Sequence, residues 1–168
     1  MLAIRWVARI LPAMKIYTVG YEGSALADFL RVVAQAGVRR VVDVREMPLS
    51  RKRGFSKTPL ALALETAGIG YLHMRSLGCP KPIRDRYRAV QDWGAYTASF
   101  MEYLGTQATA IDELARLCAE QPSAVLCYEA DPGRCHRTYV ARAAAAVVGG
   151  EVLHITSDAI VPDQKVFC

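Results

Sequence analysis

The feature that most constrains this chain is the alternation of short apolar runs with longer segments of helical spacing. Residues 15–19 (KIYTV) and 41–44 (VVDV) are rich in β-branched side chains, and residues 24–36 between them repeat their apolar positions every three or four residues. A strand, a helix and a second strand in this order form a crossover unit, which pairs its two strands in parallel. The pattern therefore predicts an α/β protein with a mainly parallel sheet.

The same alternation continues along the rest of the chain. It predicts further strands at residues 69–74, 123–128 and 151–155. It also predicts further helices at residues 59–67, 93–119 and 135–148, with Gly105 as a point where the second of these kinks or divides. No repeat or linker divides these elements, and 168 residues suit one domain. We expect one three-layer domain over residues 15–156, with helices flanking the sheet. Residues 1–14 are interpreted as a poorly ordered extension or upstream start, and residues 157–168 as a C-terminal tail.

The cysteines and the apolar segments indicate the compartment. The chain has five cysteines and no CxxC pair, which argues against a disulfide framework and against common zinc fingers. No stretch approaches the roughly 18 apolar residues of a membrane span. Arg5 and Arg9 interrupt the apolar start of the chain, which argues against a signal peptide. The sequence predicts a cytoplasmic protein with reduced thiols and no membrane association, and it leaves the oligomeric state open.

Positive charge is concentrated in two segments that are interpreted as loops. Residues 45–57 carry five basic residues and one acidic residue, and residues 81–88 carry four basic residues and one acidic residue. Their net charges of +4 and +3 together exceed the net charge of +5 of the whole chain. Such clustering predicts an anionic partner, either a small molecule or a nucleic acid.

Polar residues follow the ends of the predicted strands. In open α/β sheets, ligands bind beyond the carboxyl ends of the strands, so residues at these ends are expected to share one pocket. The residues at these positions are Gly20, Tyr21, Glu22, Asp43, Arg45, His73, Arg75, Glu129, Asp131, Cys135, His136 and Arg137.

The segment from Cys127 to Arg137 is the strongest candidate for chemistry. Cys135 stands near a predicted helix start and beside Arg134, His136 and Arg137, all of which favour a thiolate. It is a nucleophile, a part of an anion cradle made by helix amides, or a structural cysteine.

Asp43 and Glu129 are predicted to transfer protons across neighbouring strand ends. A buried ion pair of Asp43 with Arg45 is the structural alternative. Together with Cys135 and His136, Asp43 and Glu129 make up the predicted catalytic set.

A metal site and a cofactor are not predicted. Cys127, Cys135 and His136, with Glu129, are possible metal ligands, but their spacing matches no established zinc pattern and adjacent Cys and His ligands are geometrically awkward. No Walker loop and no GxGxxG stands in the sequence, which disfavours a common nucleoside triphosphate or dinucleotide site. The sequence identifies no cofactor.

The basic loop SRKRGFSKTP (residues 50–59) combines cations with an aromatic ring, a mixture that holds phosphates and stacks a base. The predicted substrate-binding residues are Gly20, Tyr21, Arg45, Ser50, Arg53, Phe55, Lys57 and Arg137. These residues favour an enzyme, a hydrolase or a transferase, that acts on a nucleotide or nucleic acid. The alternatives are a non-catalytic nucleic-acid-binding module and a thiol or sulfur-transfer enzyme that uses Cys135.

Four segments carry a resemblance to a known family. In chain order they are IYTVGYEG, VVDVREMPLSRKRGFSK, GIGYLHMRSLG and LCYEADPGRCHR. They resemble the Domain of Unknown Function 488 family over nearly all of residues 15–156. The resemblance implies an α/β fold and a shared pocket, but no reaction. The positions it assigns to that pocket are Gly20, Asp43, Arg45, Pro48, Ser50, Phe55, Leu77, Gly78, Cys127, Glu129, Cys135, His136 and Arg137. Tyr21 departs from the histidine that many members show there.

Overall fold

The computed structural model describes residues 13–164. Residues 1–12 of the predicted extension and residues 165–168 of the predicted tail lie outside this range. The strands are β1 (Lys15–Gly20), β2 (Arg40–Asp43), β3 (Gly70–His73), β4 (Ser123–Cys127), β5 (Glu151–Ile155) and β6 (Ile160–Pro162). The α-helices are α1 (Leu26–Gln35), α2 (Lys57–Thr66), α3 (Lys81–Val90), α4 (Trp93–Gly105), α5 (Ala108–Glu120) and α6 (His136–Val148).

The strands form one sheet in the order β3-β2-β4-β1-β5-β6. The first five strands are parallel to their neighbours, and β6 pairs antiparallel with β5. Helices cover both faces, as a sheet with apolar residues on both sides requires. This arrangement confirms the predicted α/β fold with a mainly parallel sheet.

Two apolar cores lie on opposite faces of the sheet. On one face, Phe29 of α1 and Leu60 of α2 pack with Val41 of β2. On the other face, residues of α4, α5 and α6 pack with Val42 of the same strand. Adjacent residues of a strand point to opposite faces, so the run of valines in β2 serves both cores. Among residues 13–164, no helix has the length and apolar character needed to cross a membrane.

The direction of the helices after β1 and β4 creates a crevice in the sheet. β1 and β4 are neighbours, but α1 follows β1 onto one face and α6 follows β4 onto the other. The loops at their carboxyl ends therefore separate, which is the switch point at which open α/β sheets bind ligands.

Two elements differ from the sequence-based expectation. Residues 81–88 were expected to form a loop because of Pro80 and Pro82, but they form α3, with Pro80 at its N-cap and Pro82 in its first turn. Proline is tolerated at these positions because the first amides of a helix have no intrahelical acceptor. Residues 160–162 lie within the expected tail and form β6, so residues 151–155 are not the last strand.

Asp163 anchors the segment that follows β6. Its carboxylate accepts two hydrogen bonds from Arg142 of α6, both of 2.8 Å. It also lies 3.1 Å from Nε2 of His154 in β5. Burial opposes ionisation of Asp163, but these two partners hold the pKa of its carboxyl below the usual value.

We expect Asp163→Asn to lower the free energy of unfolding by about 1–3 kcal/mol at neutral pH, because a charged hydrogen-bond acceptor is lost. The folded-state pKa of Asp163 is lowered, so its contribution is present above the unfolded pKa of about 4 and is lost as the pH falls further. Denaturant unfolding of both proteins across this range measures the difference. If the difference in the free energy of unfolding between the two proteins stays constant below pH 4, the ionised Asp163 carboxylate does not have this stabilising role.

Candidate functional site

A cleft of about 850 Å³ opens at the carboxyl ends of β1, β2 and β4. Its deeper part is formed by Cys127 and His136, which are both buried, and by Glu129. Aromatic side chains form one wall, and basic side chains lie along the mouth. The other lining residues are Tyr21, Arg45, Glu46, Met47, Leu49, Ser50, Arg51, Lys52, Cys79, Arg84, Tyr87, Arg88, Trp93, Tyr96, Tyr128 and Arg134.

The turn between β4 and α6 brings Cys135 back to Glu129. Asp131 caps a short 3-10 helix over residues 132–134 by accepting a hydrogen bond from the amide of Gly133. Cys135 then takes an extended conformation as the N-cap of α6, which begins at His136. As a result, Sγ of Cys135 lies 3.0 Å from Oε2 of Glu129, and the two side chains share a hydrogen bond.

His136 is held by a backbone carbonyl at the end of β2. Its Nε2 lies 3.0 Å from the carbonyl oxygen of Val44, which can only accept, so Nε2 carries the hydrogen. In the neutral ring Nδ1 then has a free lone pair, and it lies 3.7 Å from Sγ of Cys127. The sulfurs of Cys127 and Cys135 and a ring nitrogen of His136 all lie within 4.8 Å of one another.

These groups alter one another's protonation. Burial, together with the charge of Cys135, raises the pKa of Glu129 to about 7. Burial also opposes ionisation of Cys135, but hydrogen bonds from Cys127 and His136 and the charge of Arg137 hold the pKa of Cys135 well below its usual value. The hydrogen bond with Cys135 and burial both raise the pKa of Cys127. The cluster therefore favours one thiolate beside a protonated partner.

Arg137 does not reach the cleft. It is buried, and its guanidinium donates to the carbonyl oxygens of Glu129 and Ala130 and, at 3.4 Å, to Oγ1 of Thr18. It therefore positions the turn that carries Glu129, and the structure does not place it against a ligand as the sequence analysis expected. Gly20 has a related role, since an added Cβ would lie 1.9 Å from the carbonyl oxygen of Glu129.

Asp43 and Arg45 form the buried ion pair that was the structural alternative. Arg45 donates to both carboxylate oxygens of Asp43, at 2.9 and 2.6 Å, and Tyr71 donates to the same carboxylate at 2.6 Å. Asp43 is fully buried and is not among the residues that line the cleft. Its predicted role in proton transfer therefore has no geometric support. Arg45 lines the cleft, but its Nη1 donates inward to Tyr21 Oη and to the carbonyl oxygen of Phe55, each at 2.8 Å.

Tyr21 and Phe55 belong to the same network. Their rings stack at 4.4 Å with an interplanar angle of 7°. Phe55 is fully buried and does not line the cleft, whereas Tyr21 does. The hydroxyl of Tyr21 thus accepts a hydrogen bond from Arg45.

The basic loop contributes different residues from those expected. Ser50 lines the cleft, but the exposed Arg53 and Lys57 do not. The neighbouring Arg51 and Lys52 line it instead.

The aromatic wall of the cleft is continuous with the core, since Tyr96 is a buried core residue and Trp93 packs against the same core. Their rings stack at 4.8 Å, and both line the cleft, with Tyr87 at the edge of Trp93. Arg134 lies over the ring of Trp93 at 5.5 Å. Tyr128 and Arg134 were not predicted as site residues. Their positions beside Cys127 and Cys135 at a strand end were the available signal.

The fold and cleft define an α/β protein with a cleft at the switch point of a mainly parallel sheet. A family model described as "Domain of unknown function DUF488" matches residues 25–144, so the chain belongs to this family. No curated protein and no solved structure matches the chain.

Proposed function

We propose that the protein is an enzyme, of hydrolase or transferase type, that acts on a nucleotide or nucleic acid held in the cleft. The observation that carries this proposal is the composition of the cleft mouth. Met47, Leu49 and Tyr128 line it while remaining 53%, 69% and 45% exposed. Large apolar side chains around a concave, partly polar site are typical of ligand recognition.

Cations next to these apolar side chains suit the phosphate of such a ligand. Arg51, Lys52 and Arg134 line the cleft and make no ion pair with any described acidic residue. Arg84 and Arg88, by contrast, pair with Glu46 and Asp85. A planar base against Tyr128 with its phosphate near the free cations would use both features of the mouth.

Glu129 is the group to which we assign proton transfer. Two carboxylates line the cleft, and the other, Glu46, is paired with Arg84. Glu129 lies deeper, beside Cys135 and near His136, where a substrate held at the mouth would present its reacting end.

A reaction at the Cys135 thiol has less support. Cys135 is 1% exposed and is not among the residues that line the cleft, so its sulfur is not presented to a substrate held there. The free thiols of the described chain fit a reducing compartment, and we propose that the protein acts in the cytoplasm.

A thermal-shift screen of the full chain tests the substrate class. The ligands are nucleotides, sugar phosphates lacking a base, and short oligonucleotides. A nucleotide at a hundred times its Kd should stabilise the protein by about 2.7 kcal/mol. Lys52→Ala and Arg134→Ala should weaken this effect, whereas the control Arg53→Ala, an exposed cation outside the cleft, should leave it unchanged. Absence of a shift with every base-containing phosphate would overturn the proposal.

The same ligands test Glu129. Glu129→Gln should keep the thermal shift and lower turnover of the identified substrate by about 100-fold or more, because proton transfer by a side chain contributes about 10²–10⁴-fold. Unchanged turnover would remove Glu129 from the reaction. An oligonucleotide shift without turnover, with affinity that falls steeply as salt increases, would favour the non-catalytic module.

A further inference from the structure

We infer that Cys127, Cys135 and His136 bind a transition-metal ion of the Zn²⁺ class. The site lies at the base of the cleft, at the carboxyl end of β4 and the start of α6. Two sulfurs and one imidazole nitrogen are a common donor set for zinc. The inference goes beyond the proposed function, because metal binding is measured without any substrate.

The distances between the donor atoms match those of such a site. With Zn–S bonds of about 2.3 Å and Zn–N bonds of about 2.1 Å, tetrahedral ligand atoms lie about 3.6 Å apart. Sγ of Cys127 and Nδ1 of His136 are 3.7 Å apart, and all three donor atoms lie within 4.8 Å of one another. A metal ion at their centre requires side-chain adjustments of no more than about an ångström.

The orientation of His136 supports the same site. A histidine ligand usually donates its other ring N–H to a carboxylate or a backbone carbonyl, which fixes the tautomer that binds the metal. Nε2 of His136 donates to the carbonyl of Val44 at 3.0 Å, so Nδ1, which lies 3.7 Å from Sγ of Cys127, is the ring nitrogen left to bind the metal. The ring is also packed edge-on against Phe100 at 5.2 Å.

The local backbone explains how adjacent residues can both be ligands. Cys135 is extended, with φ −136° and ψ 137°, whereas His136 is the first residue of α6. This change of conformation turns both side chains toward the end of β4, where Cys127 lies. The sequence pattern alone made neighbouring Cys and His ligands look awkward, and the helix start removes that objection.

The site is enclosed by protein but reachable from the cleft. Cys127, Cys135 and His136 are all buried, yet Cys127 and His136 also line the cleft. An ion therefore has a route to the cluster from the cleft, past Cys127 and His136.

Binding must displace protons, which gives a readout independent of activity. Both sulfurs bind as thiolates, so the Cys127 thiol loses its proton to buffer as the two sulfur–metal bonds form, Cys135 binds as the thiolate that the cluster already favours, and no redox change is involved. Titration of the metal-free chain with Zn²⁺ should therefore release protons in proportion to metal bound.

The experiment measures metal content and coordination in the full-length protein. We expect about one equivalent of zinc per chain by elemental analysis, either as purified or after removal of metal and addition of ZnCl₂. Replacement by Co²⁺ should give the absorption of thiolate-to-cobalt charge transfer. Cys127→Ser, Cys135→Ser and His136→Gln should each weaken metal affinity at least tenfold. The matched control is Cys118→Ser, since Cys118 is a buried thiol of α5 outside the cluster.

Three outcomes would overturn the site. The first is a folded wild-type chain that binds neither ion stoichiometrically. The second is zinc retained in both Cys127→Ser and Cys135→Ser, or lost equally in Cys118→Ser. The third is a metal-free protein in which Cys127 and Cys135 are joined as a disulfide. The cobalt spectrum of the wild-type protein tests for thiolate ligands even if a variant fails to fold. If the protein binds the metal but does not respond to nucleotides, the proposed metal site is supported and the proposed substrate class is rejected.

Discussion

Arg45→Ala is expected to lower the free energy of unfolding by about 3–5 kcal/mol, although Arg45 lines the cleft. The change leaves the carboxylate of Asp43 fully buried with Tyr71 as its remaining side-chain donor, and removal of one partner of a buried ion pair has a cost of this size. It also frees the carbonyl oxygen of Phe55 and the hydroxyl of Tyr21 from their guanidinium donor. Denaturant unfolding of both proteins measures the loss.

Arg53→Ala is the control for this prediction, because Arg53 belongs to the same basic loop and is exposed. Its removal should change stability by less than about 0.5 kcal/mol. If Arg45→Ala unfolds like the control but no longer responds to nucleotides, then Arg45 is a ligand contact and the Asp43 pair contributes little. A large loss of stability instead assigns Arg45 to the framework of the site.

The fold was largely predictable because its signals are local. β2 is a run of valines bounded by polar residues, and a strand buried on both faces needs such a run. Glycines at the ends of helices, such as Gly37 with φ +74° and Gly149 with φ +65°, mark where the helices stop. The position of the cleft followed from the same alternation, since parallel strands end at one edge.

The roles of individual polar residues were less predictable because they depend on which groups meet across the sheet. Asp43, Arg45 and Arg137 all stand at strand ends or helix starts, as Glu129 does. Arg45 folds back onto Asp43 and Arg137 onto the carbonyl of Glu129, so these side chains are satisfied inside the protein. No local pattern distinguishes such a residue from one that faces a ligand.

The cluster of Cys127, Cys135 and His136 illustrates the converse case. The spacing of the three residues matches no common zinc motif, so the sequence alone predicts no metal site. The short 3-10 helix over residues 132–134 shortens the path from β4 to α6 and brings the donor atoms together. The residue spacings of common zinc motifs apply to the hairpins and loops that carry those motifs. The turn between β4 and α6 has a different geometry.

Gly20→Ala is expected to disturb the site more than any substitution at the cleft mouth. The new Cβ would lie 1.9 Å from the carbonyl oxygen and 2.7 Å from the carbonyl carbon of Glu129, both of which are backbone atoms. Backbone cannot rotate away as a side chain can, so β1 and the turn after β4 must separate. Overpacking of this kind costs about 3 kcal/mol, and the displaced turn carries both Glu129 and the start of the Cys135 segment.

We therefore expect Gly20→Ala to lose about 3 kcal/mol of stability in denaturant unfolding and to weaken zinc binding measured by competition with a chromophoric chelator. Gly105→Ala is the matched control, because nothing lies within 4 Å of its added Cβ at the end of α4. This control should be neutral or slightly stabilising and should keep the metal affinity of the wild type. If Gly20→Ala loses stability but binds zinc as the wild type does, the Glu129 turn moves without the cluster. If Gly20→Ala loses neither stability nor zinc affinity, then the backbone of β1 at Gly20 does not lie against the carbonyl of Glu129.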